Sequence, residues 1–416
     1  MMANGAAGRK LLLGHDRSRA SSMMSPHTLL IEGWRFVPHS YAIVNQFQCL
    51  EFLKEPNLTV RHRDVPYYGP NWKATMGLFD RASEEAIRGI AGPAADQTVD
   101  AVFRISVPFN LSPSIGGKTV VFGTAECQCV PMEHVTGNRP LAEACRNCDA
   151  LIVTPSNWSR EGFIRSGADP HRVFVVPHGI DPSIFHPLDR SERAVLRAQH
   201  GWNGFIFLNL GSMAMSKGIG VLLKAFATVA QKHPDVRLLM KGSGAVYDSQ
   251  SCFQTQAASL TPDELSLIRP KMMYFEHTLS FAQMASLYQM ADAYVSPYEA
   301  EGFNLPVLEA IASGLPVICT RGGPTDEFTT DEFALRVNSV RVPLRPTPTA
   351  SGFVLKPDFE HLVHQMTVAL EWADLADKAR AAGPAFVAAG YTWTHVTQRL
   401  LKILFDAEAF AQRRKE

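Results

Sequence analysis

Short apolar runs recur along the whole chain, each bounded by polar or turn-forming positions and separated from the next by stretches of helical spacing. From Thr28 the pattern predicts a strand over 28–34, a turn at Pro38-His39, a helix over about 41–54 and a strand over 58–63. Further strands are expected at 101–106, 119–123, 150–154 and 173–176. Helices are expected near Leu141 and at Ser156, where a hydroxyl residue stands just before helix-forming positions. The run from His178 to Pro187, with Gly179, Pro182 and Pro187, reads as a linker. A second alternating set then begins. It has strands at 205–210, 236–241, 272–275, 293–296 and 316–320, and a helix reaching about Lys232. Strands alternating with helices imply a parallel sheet covered on both faces. Two such sets imply two doubly wound α/β domains with a ligand at the carboxyl ends of the strands.

Length agrees, since 416 residues divide naturally into two domains of about 200 each. Apolar residues make up 46% of the chain and charged residues 19%, enough for real cores and too ordered a balance for a disordered chain. Forty basic and forty acidic residues cancel, which argues against a nucleic-acid binder. No apolar run has the length of a membrane span, and Leu11-Leu12-Leu13 is too short for a signal-peptide core. Residues 1–26 read as a disordered leader, with Met23 or Met24 as a possible true start, and the expected compartment is the cytoplasm.

Seven cysteines do not make a secreted disulfide framework. Cys127, Cys129, Cys145 and Cys148 place four thiols within 22 residues and admit a zinc site. They also admit plain packing, and the helical spacing of the second pair favours that.

The most informative stretch is Glu301-Gly302-Phe303-Asn304-Leu305-Pro306-Val307-Leu308-Glu309. An apolar strand precedes it, and a helical pattern follows, ending at Gly314 and Pro316. Strand, glycine loop and helix form a corner where unpaired N–H groups and the helix dipole favour an anion. Glu301 stands before the corner and Glu309 about two turns into the helix, so the two carboxylates can serve different parts of one ligand. Upstream, Gly211-Ser212-Met213-Ala214-Met215-Ser216-Lys217-Gly218 forms a loop between strand and helix, and the Lys217 ammonium can meet a diphosphate there.

The nine-residue run resembles the Glu-x7-Glu motif of retaining glycosyltransferases with the two-domain GT-B fold, family 4 in particular. Val153-Thr154-Pro155-Ser156-Asn157-Trp158, Val176-Pro177-His178-Gly179-Ile180-Asp181, Gly322-Gly323-Pro324 and Tyr391-Thr392-Trp393 extend the resemblance. It implies an N-terminal acceptor-side domain over 27–186 and a nucleotide-sugar domain over 187–392. A terminal helix over about 393–412 is then expected to return to the first domain. It further implies that Glu309 holds the donor ribose, that Glu301 contacts the donor sugar, and that Gly302, Phe303, Asn304 and Leu305 face sugar and phosphate. Gly211, Ser212 and Lys217 would hold the diphosphate, and His277 and Leu279 would flank the base. Transfer from a UDP- or GDP-linked sugar to a carbohydrate or lipid-linked acceptor is implied, with retention and with no metal or separate cofactor.

Two departures stand out. Ser212 replaces the family's usual loop arginine, and Lys241 or Arg321 is a candidate to compensate. Glu126 stands near the place of a family histidine, where it either replaces that residue in sugar binding and catalysis or is a surface carboxylate. His39, Arg104 and Asn110 are further cleft candidates, and the basic end Arg413-Arg414-Lys415 reads as a solvated tail. The departures support an alternative, a non-catalytic GT-B protein that binds a sugar nucleotide or a partner. The retained set of Glu301, Lys217 and Glu309 supports the enzyme. A dehydrogenase is excluded, since no Gly-x-Gly-x-x-Gly follows a first strand.

Overall fold

The computed structural model describes residues 27–345 and 351–405; the expected leader, the end of the terminal helix and the basic tail lie outside them. Six strands form a first parallel sheet: β1 (His27–Gly33), β2 (Leu58–Asp64), β3 (Ala101–Ile105), β4 (Lys118–Phe122), β5 (Leu151–Thr154) and β6 (Val173–Val175). Their order is β2-β1-β3-β4-β5-β6. A second parallel sheet holds β7 (Phe205–Leu210), β8 (Val236–Lys241), β9 (Met272–Phe275), β10 (Ala293–Ser296), β11 (Val317–Thr320) and β12 (Ala334–Val337). Their order is β12-β11-β10-β7-β8-β9. Strands covered on both faces read as unbroken apolar runs, and β3, Ala-Val-Phe-Arg-Ile, is buried at every position. Its one charged member, Arg104, is neutralised by Glu32 at 2.8 Å and donates to the carbonyls of Asn110 and Ser112.

The helix Ile219–Lys232 buries Ile219, Leu222, Leu223, Phe226, Val229 and Ala230, an apolar stripe at the 3.6-residue period. Each fully buried Leu, Ile or Phe side chain contributes about 1.5–3 kcal/mol. Four strand bounds of the second sheet (β7 to β10) agree with the sequence pattern residue for residue.

The run 178–187 is not a loose linker. Ile180 pairs with Thr392, its N–H donates to the Tyr391 carbonyl at 2.8 Å, and a Cβ on Gly179 would sit 2.5 Å from the Trp393 nitrogen. The helix Trp393–Phe405 that follows lies on the first sheet's side of the molecule. Trp393 stacks on Phe47 at 5.1 Å, the Thr394 hydroxyl donates to Glu51, and Lys118 donates to the Ile403 carbonyl.

An antiparallel hairpin went unread in the sequence: β13 (Ser339–Pro343) pairs with β14 (Phe353–Pro357). The cysteines are free thiols, and among the described residues no group of three or more His, Cys, Asp or Glu side chains could hold a metal ion. Cys145 is buried in the helix Leu141–Arg146, while Cys148 accepts from Arg172. None of the described helices is long and apolar enough to cross a membrane.

Candidate active site

In the second sheet the strand order reverses between β7 and β10, and at such a point an open parallel sheet binds its ligand. Two loops leave their carboxyl ends, 211–218 after β7 and 297–304 after β10. Their backbones are joined: the N–H groups of Glu299 and Ala300 donate to the Ser216 carbonyl at 2.7 and 3.2 Å. Gly218 turns at φ 68, and a Cβ there would overlap the Pro297 carbonyl oxygen. Glycine is therefore required both for the turn and for the approach of the two loops.

The junction sets the Lys217 ammonium 2.7 Å from Oε1 of Glu301. Burial favours neutral lysine, but Glu301 and Glu126 outweigh it and hold the ammonium above its ordinary pKa. Burial pushes the Glu301 carboxyl upward and Glu126 adds to the push, while Lys217 opposes both.

The loop 211–218 is held from behind by the helix Ser249–Ala257. Ser249 donates to the Ser212 carbonyl at 2.8 Å and accepts the Ser243 N–H at 3.0 Å. Gln256 donates to the Met213 carbonyl at 2.7 Å and accepts the Gly220 N–H. Met213, at φ 58, buries its side chain completely.

Asn304 sits at φ 76 just before the helix Leu305–Ala312, its amide donating to the Ser296 hydroxyl at 2.9 Å. Glu309 is only 7% exposed on that helix, and its Oε2 accepts from the Tyr288 hydroxyl at 2.6 Å. Burial raises its carboxyl to about 7, against the pull of Tyr288 and Lys241. Lys241 is thus the basic residue in Glu309's field. Neither Lys241 nor Arg321 is among the cavity-lining residues, and the Arg321 carbonyl is bonded by Ser339 at the hairpin.

A cavity of about 220 Å³ separates these loops from the first domain, whose wall includes Ser40, Tyr41, Thr124 and Glu126. The Tyr41 hydroxyl takes the Thr124 N–H at 3.0 Å and lies 2.9 Å from the Thr124 hydroxyl. Ser156 donates to the Gly302 carbonyl at 2.6 Å, and a Cβ on Gly302 would sit 2.8 Å from the Thr124 Cβ. Phe303 is wedged between the edge of His178 and the face of Phe328, at 4.9 and 4.6 Å. Burial lowers His178 to about 3, so it packs as a neutral ring. Tyr247 completes the wall.

Of the residues singled out in the sequence, Lys217, Glu301, Glu126, Gly302, Phe303, Asn304, Leu305, Gly211 and Ser212 all line this one cavity. Glu309, His277 and Leu279 lie outside its immediate lining, with His277 stacked on Phe275 at 4.8 Å just past β9. Arg104 and Asn110 are structural: the first is spent on Glu32 and carbonyls, and the second accepts the Ser112 N–H in a turn. His39 caps the helix Ser40–Phe52 and packs against Trp34 and Trp72, and burial lowers it to about 4. Sequence reading missed Tyr41, Thr124, Tyr247, Ser249 and Tyr288 as site residues. For the first four, places at strand ends, helix starts or loops were the only available signal; Tyr288, inside the helix Phe281–Met290, gave none.

Residues 204–347 match the family model of glycosyl transferases group 1. Mannosylfructose-phosphate synthase of Agrobacterium fabrum is 28% identical over 178 residues, 43% of this chain and 39% of that protein. A D-inositol 3-phosphate glycosyltransferase of Corynebacterium kroppenstedtii is 32% identical over 205 residues, covering 45% and 43%. The chain therefore spans less than half the length of these curated relatives. Among solved structures, a glycosyltransferase from Rickettsia africae superposes with a TM-score of 0.66 at 16% identity, covering 92% of this chain and 98% of that one. HepE of Anabaena, in complex with UDP and glucose, gives 0.65 at 13% identity, covering 91% and 99%. At such identities the likeness is one of fold, and that fold is the two-domain GT-B architecture.

Proposed function

We propose that this chain, whose second domain belongs to the group 1 glycosyltransferases, moves a sugar from a nucleoside diphosphate to an acceptor hydroxyl, with retention and without a metal ion. The observation that carries the reading is the Lys217–Glu301 pair, held at the strand-order reversal beside the start of the helix Leu305–Ala312.

Breaking the bond from anomeric carbon to phosphate oxygen puts charge on the diphosphate. The Lys217 ammonium and the positive end of the helix are placed to stabilise that charge. The new bond from acceptor oxygen to carbon forms on the same face, and the hydroxyl proton passes to the departing phosphate oxygen. In this reading Glu301 and Glu126 bind sugar hydroxyls, Glu309 accepts from the ribose, and His277 and Leu279 flank the base. The donor is UDP- or GDP-linked, a choice the UDP bound to HepE favours for UDP. The acceptor is a carbohydrate or lipid-linked hydroxyl. The free thiols fit work in a reducing compartment, the cytoplasm.

A binding-only role is favoured by Ser212 in place of the arginine, which removes one charge from the diphosphate side. The assembled Lys217–Glu301–Glu126 cluster favours chemistry. Transfer or slow donor hydrolysis, followed by NMR of the anomeric proton in EDTA, tests the reading. It predicts turnover in EDTA with the configuration kept; inversion or a strict metal requirement overturns it.

A further inference from the structure

Glu126 lies in the cleft wall on a loop of the first domain, while Lys217 and Glu301 belong to the second. Ser156 of the first domain already donates to the Gly302 carbonyl at 2.6 Å, and the hairpin of β13 and β14 adds a second tie between the two loops. On one side the Leu355 N–H donates to the Glu299 carbonyl at 2.7 Å, and Lys356 pairs with the Glu299 carboxylate at 2.5 Å, two positions before Glu301. On the other side the Phe353 N–H donates to the Cys127 carbonyl at 3.0 Å, one position after Glu126. The Phe353 ring meets the edge of Trp158 at 5.5 Å, and the Trp158 indole donates to the Glu126 carbonyl at 2.9 Å. Arg165 and Arg341 lie over the Phe353 ring at 5.5 and 5.0 Å. Gly352 is required by closeness, since a Cβ there would overlap the Cys127 carbonyl and sit 2.7 Å from the Cys129 sulfur. The family match ends at residue 347, so β14, which makes the bonds to Glu299 and Cys127, lies beyond it.

We propose that Phe353 is a positioning residue: through its backbone bond to Cys127 and its ring on Trp158, the hairpin clasps the Glu126 loop to the loop that carries Glu301. The clasp sets how far the Glu126 carboxylate reaches toward Lys217. This rests on the proposed transfer reaction for its catalytic consequence but not for its structural one.

Two measurements on the full chain test it, using Phe353→Ala, Glu126→Gln and the double variant. Hydrogen exchange comes first and needs no activity. Phe353→Ala should raise exchange across 124–129, while peptides from β7 and β8 keep their protection. Unchanged protection at 124–129 overturns the clasp. Steady-state transfer comes second. A misplacement of about 1 Å can cost about 100-fold, so Phe353→Ala should lower kcat about 10- to 100-fold. It should leave nucleotide affinity within about threefold, and the double variant should be no slower than Glu126→Gln alone. Multiplying losses overturn the proposal, because a merely structural role would act independently of Glu126. Both variants keep the backbone bond to Cys127, and Phe353→Leu, which restores part of the packing on Trp158, should recover most of the rate. If Phe353→Ala does not fold, Gly352→Ala, which pushes on Cys127 without emptying the core, replaces it in both measurements. If exchange responds as expected but no nucleotide sugar is turned over, the clasp stands and the transferase reading fails.

Discussion

Nζ of Lys217 and Oε1 of Glu301, 84 positions apart in the chain, meet at 2.7 Å where two strand-end loops touch. Their side chains are 22% and 12% exposed, so the pair is shielded yet open on its cavity side. A carboxylate there keeps the lysine charged and oriented before any phosphate arrives. In the proposed reaction the donor's diphosphate would share an ammonium already in place, which avoids ordering a flexible side chain at the moment of reaction.

Lys217→Ala removes that charge. Transfer should fall about 100- to 1000-fold, the scale of losing one stabilising donor at a developing anion. Stability should drop by only about 1–3 kcal/mol, the cost of leaving one buried group without its partner, since Glu301 can take up a proton when the lysine is gone. Denaturant melts beside single-turnover rates check this, and matched losses in the two would count against a catalytic lysine.

Glu309 carries a pH signature. Its carboxyl is raised to about 7 in the fold, against an ordinary value of 4.5. The protonated form thus favours the folded state. Its contribution is fully present below about pH 4.5 and is lost as pH rises through 7. Glu309→Gln should therefore flatten the pH dependence of the unliganded melting point between pH 5 and 8, by about 1–3 kcal/mol of stability. Nucleotide affinity, which in this account uses the carboxylate as acceptor, should strengthen over the same window in the native protein and stay level in the variant. Parallel pH titrations of the two proteins decide it.

Gly302 faces Thr124 across the cleft with no room for a methyl group, since the added Cβ would lie 2.8 Å from the Thr124 Cβ. Gly302→Ala should hold the two walls apart. Expected is a loss of transfer of about tenfold or more, with nucleotide affinity retained within about threefold. Calorimetric titration and initial rates separate the two effects.

The Glu327 carboxylate accepts from the N–H groups of Asn157 and Trp158 at 2.9 and 3.0 Å and from the Asn157 amide at 3.0 Å. A residue of the second domain thereby caps the helix Asn157–Arg165 of the first. Glu327→Gln should cost about 1–2 kcal/mol, the value of a charged cap at a helix start. Guanidinium unfolding measures it, and no change would mean the cap is satisfied by solvent.

The parts of the molecule that declared themselves in the sequence share one physical property. Strands buried on both faces, such as β7 and β10, are apolar apart from Asn209 and Ser296, and loops at their ends carry glycine where another segment comes too close for a side chain, as at Gly218 and Gly302. Both features are written in single residues. The hairpin was hidden because Val340 and Val342 are exposed, so β13 has no buried face to impose alternation, β14 buries only Leu355 fully, and no Asn-Gly turn marks it. The helix Ser249–Ala257, polar along most of its length, was hidden too, although it holds the Lys217 loop. Tyr288 illustrates the limit at the site itself. It is one apolar position of a core helix until the fold turns its hydroxyl onto Glu309.

Whether the Lys217–Glu309 side of the cleft binds a nucleotide is decided by a thermal-shift comparison. Native protein and Glu309→Ala would be melted in EDTA with UDP, GDP, ADP and their sugar conjugates. A ligand that binds only the folded state raises the melting point by mass action. Expected is a selective rise with one nucleotide in the native protein and its loss in the variant. No rise with any nucleotide, or an equal rise in both proteins, would contradict it.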